Sequence, residues 1–151
     1  MRTHPLQETI QYIALSNLAI ERIANAMLKK FHLTASSFKL LNFIAEDNNP
    51  LTPSQLQKFL ETSLASISQR LNQLEKYGYI ERISAGPDRR QVGIAITKKG
   101  KEIYESAWKE SKKIEDYMQG KFDDTTSAQF LGVLKEYYKT LSLFEKSIKS
   151  K

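Results

Sequence analysis

Apolar or small residues recur at Leu6, Ile10, Ile13, Ile20, Ala24, Met27 and Phe31, with Asn17 as the interruption. Steps of three and four put them on one side of a helix. Near the other end Phe130, Leu134, Tyr137, Leu141, Phe144 and Ile148 repeat the spacing. Each stripe predicts a helix of roughly 25 residues with a seam regular enough for close helix pairing. An intramolecular core would bury both stripes, but two long seamed helices crowd the single core of a small chain. The economical arrangement is a homodimer that interleaves them. Its candidate interface residues are Ile10, Ile13, Phe130, Leu134, Tyr137, Leu141 and Phe144.

Shorter elements lie between. Thr34 reads as an N-cap, opening a helix with Phe38, Leu40, Leu41 and Ile44 inside and ending before Asp47. Thr52, Pro53 and Gln55 form a capping box with proline at the first helical position. The helix they start turns Leu56, Phe59 and Leu60 inward. After the polar break Glu61-Thr62-Ser63, a third helix carries Leu64, Ile67, Leu71 and Leu74 on one face, and Gly78 closes it. The period then changes to two. Residues 79–83 and 92–96 alternate, and the intervening SAGPDRRQ carries a Gly-Pro turn signal, so the pair predicts an antiparallel hairpin. Thr97 caps a charged helix with Ile103, Tyr104, Ala107, Trp108, Ile114 and Met118 inside; Gly120 ends it, and DDTTSAQF starts the last helix.

Helix, short turn, helix and hairpin make a winged helix-turn-helix, mainly α with a small β-hairpin wing. Its second helix lies in the major groove with a polar face toward base edges. Here that face presents Ser63, Ser66, Gln69, Arg70 and Gln73, and no acid appears before Glu75. Gln pairs with adenine, Arg with guanine, and Ser with base or phosphate. At the hairpin tip, Arg89 and Arg90 are placed to reach a phosphate backbone or a minor groove. Asp88, an anion, is expected to organise the tip by pairing with Arg90 or a neighbouring subunit. A solvated basic turn is the plainer alternative for the arginines.

Charge sharpens this picture. The 151 residues carry a formal net charge of +6, and residues 69–101 hold Arg70, Lys76, Arg82, Arg89, Arg90, Lys98, Lys99 and Lys101 against Glu75, Glu81 and Asp88. That third helix and wing therefore account for +5 of the excess, the footprint of a polyanion binder or of a solvated basic face. Cysteine is absent, which removes disulfides, thiolate metal sites and thiol redox chemistry. No phosphate loop, nucleophile elbow or HExxH motif appears, and neither catalytic residues nor a cofactor is expected. With no leader-like apolar region and no spanning run, the expectation is a soluble, cytoplasmic protein with no membrane partner.

The run from Ser54 to Gly100 resembles the MarR (multiple antibiotic resistance regulator) family of bacterial transcription factors. The family's wing pattern, D-x-R, a strand, then L-T-x-x-G, stands here as Asp88, Arg90, the strand to Ile96, Thr97 and Gly100. Its recognition-helix ending stands as Leu74, Glu75, Gly78, Tyr79 and Ile80. The resemblance implies one domain over 1–151. Residues 34–99 would form the DNA-binding lobe, and 1–33 and 100–151 the dimerisation helices. It further implies a homodimer on a palindromic operator in double-stranded DNA, usually repressing transcription. In many members a small aromatic, phenolic or lipophilic effector releases the DNA. The cysteine-based sensors have no counterpart here, and His4 and His32 both lie outside the wing, so no metal is expected. The rival reading is a winged helix used for protein contact without DNA.

Overall fold

A computed structural model describes residues 4–84 and 92–149. The elements run α1 (Pro5–Leu28), α2 (Ala35–Glu46), α3 (Pro53–Leu60), α4 (Leu64–Lys76), β1 (Ile80–Ser84), β2 (Val92–Ile96), α5 (Lys98–Gln119) and α6 (Asp124–Lys149). The chain divides into two compact units, Met1–Ser111 and Lys112–Lys151. None of the helices among the described residues is long and apolar enough to cross a membrane.

Local chemistry explains the helix boundaries. The Thr34 hydroxyl accepts from the Ser37 amide at 3.1 Å, and the Ser37 hydroxyl accepts from the Thr34 amide at 2.8 Å. This reciprocal box also satisfies Ser37, a fully buried polar side chain. Thr52 and Gln55 make the same box at α3, with Pro53 at its first position. Asp123 starts α6 by accepting from the Thr126 amide at 2.7 Å. That backbone hydrogen bond, with help from the Thr126 side chain, holds the Asp123 carboxyl below its ordinary pKa.

At the C-terminal end of α4 the chain reverses through Gly78, whose φ of +72° suits glycine. The Tyr79 amide donates to the Leu74 carbonyl at 2.9 Å and the Gly78 amide to the Glu75 carbonyl at 2.8 Å. Together they form a Schellman closure. The strands pair antiparallel with Ile80 opposite Ile96 and Ser84 opposite Val92. Leu51 adds a single bridge to Ile94, through hydrogen bonds of 3.0 and 2.8 Å.

The core of the first unit gathers Leu40, Leu41 and Ile44 from α2, Leu56 from α3, Ile67, Leu71 and Leu74 from α4, and Ile80 and Ile94 from the hairpin. Several side chains expected inside are not. Leu64 is 46% exposed because it starts α4, ahead of the turns that pack on α2 and α3. Phe59 is half exposed and stacks on Phe43 at 5.6 Å, covering one ring face instead of entering the core. Trp108 and Met118 on α5 are also exposed. Phe31 falls outside α1, in a short 3-10 turn (Lys29–Phe31) that ends at His32 in the left-handed region.

Gly100 sits in the first turn of α5 where a Cβ would lie 1.9 Å from the Tyr79 carbonyl oxygen. The obstructing oxygen is backbone, and the Ile96 side chain at 2.8 Å closes off relief. Gly100→Ala is therefore expected to destabilise the chain by about 2–4 kcal/mol, lowering the thermal midpoint by roughly 5–15 °C. A melt followed by circular dichroism measures this; an unchanged midpoint would mean the junction yields.

Candidate nucleic-acid interface

Helix α4 is set by three contacts. Its N-cap Ser63 accepts from the Ser66 amide at 3.2 Å. Ile67, Leu71 and Leu74 fasten its inner face. Its last turn is held by the Schellman closure and by Lys99, whose ammonium donates to the Tyr77 carbonyl at 2.7 Å. A cation there also complements the negative end of the helix dipole. The same ammonium lies 5.4 Å from the centre of the Tyr79 ring. The Tyr79 hydroxyl donates to the Phe31 carbonyl at 2.9 Å, tying the end of α4 to the turn after α1. Burial, then the nearby Tyr77, pushes the Tyr79 phenol above its ordinary pKa.

With the inner face fixed, 3.6 residues per turn decides what points outward. The exposed positions are Ser63, Leu64, Ala65, Ser68, Gln69, Asn72, Glu75 and Lys76. Gln69 belongs to this face. Ser66, Arg70 and Gln73 are half-buried along one flank. A step of three falls 60° short of a full turn, so a series built on 63, 66 and 70 drifts off the outward centre. Counting in threes and fours from Gln69 finds Ala65, Ser68, Asn72 and Lys76, a signal present in the sequence that the polar-residue reading passed over.

On the other flank strand β1 brings in Arg82. Its Nε lies 3.0 Å from Glu75 Oε2, and its terminal nitrogen donates to Asn72 Oδ1 at 2.7 Å. The one acid of the helix is thus neutralised from the base of the wing. Lys98 and Lys101 are exposed at the start of α5. Asp88, Arg89 and Arg90 lie outside the described residues. The interface candidates split by helix. On α1, Ile10 is exposed and Ile13 half-buried; on α6, Phe130, Leu141 and Phe144 are exposed, while Leu134 and Tyr137 are half-buried.

Helices α2, α3 and α4 pack together, α4 turns a largely polar face outward, and the hairpin is braced against its end. A family model described as the MarR family matches residues 33–91. The lobe from α2 to β1 is of MarR-family type. It is 30% identical over 86 residues to the HTH-type transcriptional regulator PecS of Dickeya dadantii, covering 56% of this chain and 52% of PecS. It thus spans about half the length of that relative. Identity to the Multiple antibiotic resistance protein MarR of Salmonella typhimurium is 32% over 93 residues, 62% of this chain and 64% of MarR. The crystal structure of Streptococcus pneumoniae FabT in complex with DNA superposes with a TM-score of 0.77 at 25% identity, covering 92% of this chain and 99% of FabT. The MarR match takes in α2, α3, α4 and β1, the elements that carry the outward face.

Proposed function

We propose that the chain is a sequence-specific transcriptional regulator of MarR type, a repressor that binds palindromic double-stranded DNA as a homodimer. The observation that carries this reading is the outer face of α4. From Ser63 to Leu74 it holds no carboxylate, and Ser68, Gln69 and Asn72 stand exposed on it. An ordinary solvent face mixes Glu with Lys, whereas this one offers short or planar groups suited to base edges. The major groove, about 12 Å wide, admits such a helix.

In this reading residues 34–99 are the DNA-binding lobe, and Arg89 and Arg90 carry the wing tip to the phosphates or an adjacent minor groove while Asp88 organises the tip. Residues 1–33 and 100–151 supply the dimer. On α1, Leu6 and Ile10 are over half exposed; on α6 the same holds for Phe130 and Phe144. Apolar rows of this kind mark surfaces that a partner covers. The effector arm of the reading rests on aromatic surface in the first unit. There Phe38, Tyr104 and Trp108 pack on one another with ring centres 6.0 to 6.4 Å apart, an aromatic surface of the kind on which a small aromatic or lipophilic molecule stacks.

Duplex DNA binding followed by fluorescence anisotropy at several salt concentrations tests the central claim. The logarithm of the affinity is expected to fall linearly with the logarithm of salt, by about 0.9 per phosphate for roughly six to ten phosphates. Binding indifferent to salt, or none at low salt, would favour the protein-contact rival. Gln69→Ala is expected to relax preference at one base pair of each half-site by ~1–3 kcal/mol, and a selected-sequence profile reads this directly. Leu141→Asp or Phe144→Asp should turn the dimer into a monomer in sedimentation and abolish operator binding. A variant that still sediments as a dimer would place the interface elsewhere.

A further inference from the structure

Asn72 stands on the exposed face of α4, one turn beyond Gln69 and Ser68, yet its side chain is not left to rotate. Arg82 reaches it from β1. The guanidinium donates to Asn72 Oδ1 at 2.7 Å while its Nε holds Glu75 Oε2 at 3.0 Å. Arginine has only donors, so the amide oxygen, not the nitrogen, must face it. The planar fork gripping two acceptors one helical turn apart fixes the amide plane as a lysine could not. Arg82 and Glu75 are 38% and 40% exposed, so screening leaves the pair little to add to stability. Among the described residues the Asn72 amide nitrogen has no hydrogen-bond partner.

We propose that Arg82 is a positioning residue for base readout: clamped by Glu75, it locks the Asn72 amide with its NH2 group as the face offered to DNA. This rests on the DNA-binding reading above. An asparagine pairs with adenine by accepting from N6 and donating to N7. Here the accepting oxygen is occupied by a cation, which repels the N6 donor. The amide that remains is a donor and favours guanine, whose major-groove edge carries two acceptors, O6 and N7.

The test is selection of bound sequences from a randomised duplex pool by the full-length chain, unaltered and as Arg82→Met, Arg82→Lys, Glu75→Gln, Asn72→Ala and the Arg82→Met/Asn72→Ala double variant. The unaltered chain should prefer guanine to adenine at one position of each half-site, the position that Asn72→Ala flattens. Arg82→Met should lower that guanine-to-adenine ratio about tenfold, the scale of one good side-chain–base pair, and move no other position. Arg82→Lys, which keeps the charge without the fork, should shift it the same way. In the Asn72→Ala background Arg82→Met should change nothing further. Glu75→Gln, which loosens the clamp while leaving Arg82 in place, must move the same position, and it carries the test if Arg82→Met fails to fold. Uniform weakening across all sequences with a shallower salt dependence would make Arg82 a phosphate contact and overturn the proposal, as would an unchanged profile. Failure of the unaltered chain to select any sequence overturns the DNA-binding reading as well, a separate and recognisable outcome.

Discussion

Helix α4, the hairpin and α5 are joined at one backbone carbonyl, that of Tyr79. It accepts from the Thr97 amide at 3.0 Å, and Gly100 approaches it so closely that any side chain would collide. Thr97 completes the joint. Its hydroxyl donates to the Gly78 carbonyl at 2.7 Å and accepts from the Gly100 amide at 3.0 Å. One threonine therefore caps α5 and binds it to the residue that terminates α4. The spacing from Thr97 to Gly100 is a steric requirement: the first turn of a helix must lie flat against the end of another.

Features of this kind are legible in a sequence because the chemistry is local. Thr34, Thr52, Thr97 and Gly78 all satisfy backbone groups within a few residues, so residue type and offset predict them, and each cap is where the pattern places it. The hairpin strands are legible for the same reason, since a change of period needs no knowledge of neighbours. What depends on packing is harder to read. Leu64 and Phe59 have the periodicity of core residues, but whether a neighbour covers them is decided by elements far away in the chain. The left-handed Glu61, φ 48°, in the turn between α3 and α4 is likewise invisible, because nothing in a Glu-Thr-Ser run announces it. Asn72 stayed hidden for a third reason: its partner Arg82 is ten residues on, across the Schellman turn.

Charge shows the same division. Counting basic residues over 69–101 treats them as one patch directed at a polyanion. Two of them have local duties: Lys99 holds the last turn of α4 through the Tyr77 carbonyl, and Arg82 holds Glu75 and Asn72. A lysine on a carbonyl at a helix C-terminus and an arginine forked between two acceptors are arrangements in which charge builds the surface that other residues present. Net charge measures long-range attraction to a polyanion, but it does not say which cations make the contact. On the proposed reading, neutral groups such as Gln69 and Asn72 do the discriminating, and the orientation of Asn72 is set by the cation behind it.

The Tyr79 joint also determines how motion in α5 would reach this surface. Thr97 caps α5 and Gly100 lies in its first turn, so displacing that turn strains hydrogen bonds to Gly78 and Tyr79, which link α4 to β1. Arg82 follows three positions after Tyr79. A shift there moves the guanidinium relative to Glu75 and Asn72, whose helix is separately fixed by Ile67, Leu71 and Leu74 in the core. The helix backbone can hold its place while the amide loses its clamp. On the proposed DNA-binding reading, preference among sequences would then change before overall affinity does, because phosphate contacts position a protein while base contacts specify. In such a design the wing strand is more than a stiff support for its tip: its base is part of the reading head.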